Sequence, residues 1–239
     1  MNDDAAQEES SQQRWQPLSS IQRRVVGVLI EKAKTTAESY PMTLNALTSG
    51  CNQKSNRSPQ MHLSADDVEQ ALEELRLLGA AAEVQGGGRV PKYRHYMYDW
   101  LGVDKVELAV MAELLLRGEQ TIGELRARAG RMEPIPDLNA LGPVLDSLEQ
   151  KNLIVWLTPA GRGRIVAHNL YLPEQLEKLQ QQYAAGRPAP EHTPASTSGS
   201  PSQVTKQEFE QLQCDVADLK AEVDQLRDQL AHLLKANEP

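Results

Sequence analysis

The chain has 239 residues, 40% of them hydrophobic and only about 4% aromatic, and a formal net charge of −8. That is enough chain for two small domains plus extras. No apolar run approaches the roughly 18 residues a membrane span needs. The two cysteines, Cys51 and Cys214, exclude a disulfide framework and a cysteine-built zinc site and fit a reducing cytoplasm.

Residues 1–16 are acidic and polar, read as a disordered tail, and carry no secretory leader. From there to Tyr183 the chain holds 19 basic and 20 acidic side chains, so a broadly basic nucleic-acid footprint is missing. A first helix begins near Ser19, with Ile21, Val25, Val28 and Leu29 on one face, and ends near Ser39. Pro41 blocks continuation, and Thr43 caps a short helix carrying Leu44 and Leu47, with Gly50 as its stop. A polar loop holds Lys54 and Arg57. Ser64 then caps a longer helix with Asp66 and Asp67 in its first turn and Val68, Ala71, Leu72 and Leu75 as its buried stripe.

Gly79 ends that helix. Residues 80–84 and 90–97 read as a hairpin whose tip is 85–89. The same order then recurs. It comprises a helix over 104–117 stopped by Gly118, a short helix capped by Thr121, a loop with Pro134 and Pro136, and a helix capped by Asp137. A strand at 153–157, a tip at 159–164 and a return at 165–172 complete it. The fold class is mainly α with small hairpin wings: tandem winged helices over residues 17–101 and 102–183, the second including a short terminal helix over 173–183.

Residues 184–203 are a Pro/Ser/Thr linker. Over residues 204–236, Leu212, Val216, Leu219, Val223, Leu226, Leu230 and Leu233 alternate spacings of three and four. That a/d seam, with Val at interior a positions and Leu at d, predicts a parallel two-stranded coiled coil and a homodimer.

Arg24 to Lys32, Thr35-Thr36, Tyr40-Pro41, Leu44-Asn-Ala-Leu47, Cys51-Asn-Gln-Lys-Ser55, Arg57 and Thr121-Ile-Gly-Glu-Leu-Arg126 together resemble the YceH-like family, also called UPF0502 or DUF480. The resemblance covers roughly residues 18–172. It implies bacterial proteins built of two winged helices and leaves their activity open.

The five histidines, His62, His95, His168, His192 and His232, show no metal-ligand spacing, and Gly86-Gly-Gly88 leads into a strand rather than a helix. No catalytic, cofactor or metal site is therefore expected. Asn45, Asn52 and Gln53 read as local backbone caps, Cys51 as a small core residue, and Trp100 and Trp156 as packing residues.

The third helix of each domain would ordinarily enter the major groove. Here those helices are acidic: Asp66, Asp67, Glu69, Glu73 and Glu74 against Arg76 in one, and Asp137, Asp146 and Glu149 against Lys151 in the other. Such faces repel phosphate. Basic residues collect instead in loops and hairpins, so double-stranded DNA is expected to be gripped by Lys54, Arg57, Arg89, Lys92, Arg94, Arg126, Arg128, Arg162 and Arg164. The polar loop offers no packing reason for Lys54 and Arg57, and both are expected at the surface. The alternative is a scaffold that binds protein rather than DNA.

Overall fold

The computed structural model describes residues 15–84, 90–161 and 163–185. The linker, the heptad segment and nearly all of the acidic tail lie outside these residues. Trp15, expected in the tail, is buried.

The first half runs α1 (Ser20–Thr35), β1 (Met42–Thr43), α2 (Leu44–Cys51), α3 (Ala65–Leu77), β2 (Ala81–Val84) and β3 (Lys92–His95). After α4 (Met97–Leu101) the second half repeats the order. It runs α5 (Lys105–Arg117), β4 (Gln120–Thr121), α6 (Ile122–Ala129), α7 (Leu138–Gln150), β5 (Ile154–Trp156) and β6 (Ile165–His168). α8 (Pro173–Ala184) follows. The structure is thus mainly helical, with two small antiparallel sheets ordered β1-β3-β2 and β4-β6-β5.

Six of the helices, all but α4 and α8, start on side-chain caps. Ser19 with Gln22, Ser64 with Asp67, Asp104 with Glu107 and Thr121 with Glu124 form reciprocal capping boxes, and Thr43 and Asp137 cap singly. Gly79 and Gly118 stand just past helix ends at φ +72° and +76°, a region that favours glycine. β1 and β4 were not expected. Each is two residues long, too short to show a period, and each adds an edge to its sheet just before the second helix.

α1 and α5 are buried on every side: residues 22–30 of one and 107–116 of the other are all buried. Helices of that kind lie inside a core rather than on it. They pack on each other, and Gly27 permits the approach, since a Cβ there would stand 3.0 Å from Leu116. A single cluster of buried side chains runs from Trp15 to Leu170 through both halves. The halves are also stitched by backbone: the Leu18 N–H donates to the Leu170 carbonyl at 2.9 Å, and the Ser58 N–H to the Leu116 carbonyl at 3.0 Å.

The repeat extends to a buried histidine. Thr43 pairs with Lys92 as Thr121 pairs with Ile165, which places His95 opposite His168 in the duplication. Each imidazole Nδ1 accepts the N–H two residues on, from Met97 at 3.3 Å and Leu170 at 3.2 Å. Burial holds both below the ordinary histidine range, His95 at about 4.

The sheets differ on their outer faces. β3 alternates exposed and buried, with Lys92 and Arg94 outward and Tyr93 and His95 inward. β6 is buried at every residue, because Leu179 and Tyr183 of α8 pack on Ile165 and Ala167.

Candidate nucleic-acid interface

The loop between α2 and α3 sits over the interior end of two arginines. Arg24 of α1 is 2% exposed; its Nη1 donates to the Cys51 carbonyl at 2.9 Å and its Nη2 to the Pro59 carbonyl at 2.6 Å. Burial and the nearby Arg57 charge lower its pKa to about 10. Arg57 is also buried, contrary to expectation. Its Nε donates to the Gly50 carbonyl at 3.0 Å. Nη1 and Nη2 form a two-pronged ion pair with Glu31 of α1 at 3.0 and 2.6 Å. The Asn56 carbonyl and Gln53 Oε1 take further N–H bonds.

Part of the loop's polarity serves these interior donors, with Gln53 accepting from Arg57. Asn52 is the expected local cap, exchanging two 2.8 Å bonds with the Leu63 backbone. Arg117 of α5 donates to Asn56 and so fastens the loop to the second half. Cys51 is buried against α1 and its thiol is pushed up to about 12, so it stays protonated and inert.

Lys54 of the same loop is exposed, and its side chain makes no ion pair or hydrogen bond with any described residue. Lys92 and Arg94 are exposed on β3 and also lack an ion pair there; Arg94 lies 5.1 Å from the centroid of the Tyr96 ring. Beside Arg94, a cleft of about 360 Å³ is lined by Lys34, Tyr40, His95, Tyr96 and Tyr98. Lys34 is engaged with Glu133 and with the Lys105 carbonyl, both at 3.0 Å. Arg89 and Arg162 lie outside the described residues.

Arg126, Arg128 and Arg164 of the second half are turned to internal work. Arg126 Nη1 donates to the carbonyls of Ile135 and Pro136 at 3.3 and 2.9 Å, holding the proline loop. Arg128 donates to Gln120 Oε1 at 2.7 Å and pairs with Glu124 at 3.4 Å. Arg164 lies 3.5 Å from the centroid of the Trp156 ring. These three were expected to face a phosphate backbone; their polar partners are instead the chain's own loop, sheet edge and indole. Lys151, the basic residue of the acidic α7 region, holds Glu107 of α5 at 2.7 Å, with Ser147 donating to the same carboxylate at 2.6 Å.

The acidic face of α3 remains as expected: Asp66, Asp67, Glu69 and Glu73 are exposed, with Glu73 paired to Arg76 at 2.6 Å. The signal for Arg57 was present but lay elsewhere. Glu31 stands at the end of the buried stretch of α1, where a carboxylate needs a partner.

Among the described residues no group of three His, Cys, Asp or Glu could hold a metal ion, and no helix is long and apolar enough to cross a membrane.

The profile of a family described as "Protein of unknown function, DUF480" matches residues 18–162. A "UPF0502 protein" of Rhodopirellula baltica is 52% identical over 203 residues, 83% of this chain and 85% of its own. One from Geotalea daltonii is 51% identical over 148 residues, 62% of this chain and 68% of its own. One from an Acidovorax species is 37% identical over 225 residues, 91% of this chain and 96% of its own. The match takes in both halves of the duplicated fold and the fastened loop between α2 and α3, and the chain belongs to the UPF0502 (DUF480) family.

Proposed function

We propose that the protein is a tandem winged-helix, transcription-regulator-like protein that binds double-stranded DNA through its first half. The contact residues are Lys54, in the loop ahead of α3, and Lys92 and Arg94, in the hairpin behind it. What supports the fold reading is the twice-repeated order helix, strand, helix, helix, hairpin, with the short strand added to each hairpin edge. What carries the binding reading is one observation: Lys54, Lys92 and Arg94 are exposed cations without a carboxylate partner among the described residues. They flank, in sequence, a helix whose own exposed face is acidic. Backbone contacts of that kind supply affinity without reading sequence. The heptad segment would pair two copies, so that two weak grips act together.

Fluorescence anisotropy of the full-length protein with random duplex DNA tests this. Binding that weakens steeply from low to physiological salt supports it. An absence of binding at low salt removes it.

A second reading, a scaffold for protein partners, draws on a different observation. Leu77 at the end of α3 is 87% exposed and Leu138 at the start of α7 is 53% exposed. Salt-insensitive capture of a protein partner would favour it.

A further inference from the structure

A groove of about 620 Å³ opens in the second half between the start of α6, α7 and the β5–β6 hairpin. Its walls include Ile122, Leu138, Leu145 and the Trp156 ring, and Arg164 closes one side. Two helical glycines leave it roomy: a Cβ built on Gly123 or Gly142 meets no atom within 4 Å. Two side-chain N–H groups of the hairpin lack acceptors among the described residues. Trp156 Nε1 and Arg164 Nε are both buried and make no hydrogen bond with any described residue. Buried donors are seldom left so. Arg164 also takes no part in the ion pairs among the described residues.

The volume is that of a small-molecule site, and the pattern of apolar walls with a few polar groups on one side is typical of one. We infer that this groove binds a small, flat, mostly apolar acid. The rings lie among Ile122, Leu138 and Leu145, and the carboxylate meets the guanidinium of Arg164. A planar guanidinium without a counter-charge is suited to a planar carboxylate. Asp146 of α7 also lines the groove and repels an acid on that side, which restricts the charged end to the hairpin. This inference does not rest on DNA binding.

The test uses the full-length protein and 2-naphthoate, followed by calorimetry and by the indole N–H resonances of the three tryptophans. Trp156→Phe identifies the Trp156 resonance. Saturable one-to-one binding that moves that resonance is expected. Gly142→Leu fills the groove and should weaken binding at least about tenfold while the melting temperature holds. Gly123→Met, at an exposed position of α6, is a second filling variant should the first not fold. Arg164→Gln should weaken naphthoate about tenfold and leave the neutral 2-naphthalenemethanol unchanged. Lack of saturable binding at millimolar naphthoate, or binding that survives a folded filling variant, overturns the site. Equal losses for the acid and the neutral compound on Arg164→Gln overturn the choice of an acid.

Discussion

At corresponding places in the duplication, β3 presents Lys92 and Arg94 to solvent while β6 presents Ile165 and Ala167 to α8. The backbone plan is the same and the register is the same. The difference comes from the helix that follows. α8 folds back and lays Leu179 and Tyr183 on the second sheet, whereas the first half has no such cover among the described residues. Side chains follow suit: Arg126, Arg128 and Arg164 of the second half bind the chain's own carbonyls, carboxylate and indole, whereas Lys54, Lys92 and Arg94 of the first half are exposed. A repeated fold has therefore kept one face available and closed the other.

Exchanging the two faces should break this contrast most visibly. Ile165→Lys places a charge under α8 and is expected to lower stability by about 4 kcal/mol in urea unfolding, from the lost burial and the buried ammonium together. Lys92→Ile, the reverse exchange, should stay within about 0.5 kcal/mol of wild type. Equal effects at the two sites would mean that α8 does not cover the sheet.

The polar loop gives a second contrast, three residues apart. Arg57→Ala leaves Glu31 without its counter-charge and the Gly50 carbonyl without its donor, and should lower stability by about 3 kcal/mol. Lys54→Glu should leave the melting temperature unchanged. A stable Arg57→Ala protein would return that residue to the surface.

The corresponding histidines should make both halves acid-sensitive. His95 has a folded pKa of about 4, below its ordinary 6.5, and His168 is also lowered by burial. The stability His95 carries is complete above pH 6.5 and is lost as pH falls toward 4, where the unfolded chain takes up protons that the folded one refuses. For His95 the loss is about 3 kcal/mol. His95→Gln should flatten the melting-temperature profile between pH 6.5 and 4; a profile as steep as wild type would assign the acid lability elsewhere.

A smaller effect is expected where the halves meet. Gly27→Val pushes a side chain into Leu116 and should cost about 2 kcal/mol by overpacking. The same substitution at the open Gly123 should cost less than that, read by the same unfolding curves.

Much of this fold was legible because it is written in caps and periods. Ser64, Thr121 and Asp137 announce helix starts, and the leucine stripes of α3 and α7 announce their buried faces. The two-residue strands β1 and β4 carry no period, and α4 hides in a stretch that reads equally well as the end of a strand. The site was less legible for a physical reason. A polar, basic loop looks the same whether its charges face solvent or satisfy buried groups, and Arg57 and Lys54 are told apart only by Glu31, 26 residues before Arg57 on another element. The histidine repeat was within reach, since Tyr93-Arg-His-Tyr-Met97 and Val166-Ala-His-Asn-Leu170 align once the hairpins are superposed.

The measurement that bears most directly on the open first-half face is the salt dependence of duplex DNA binding by wild type and by the Lys54→Glu, Lys92→Glu, Arg94→Glu triple variant. Each phosphate contact contributes about 0.9 to the slope of log affinity against log salt. The triple variant should fold normally, bind weakly and lose about 3 units of slope. A folded triple variant that keeps the wild-type slope would contradict the assignment of DNA contact to this face.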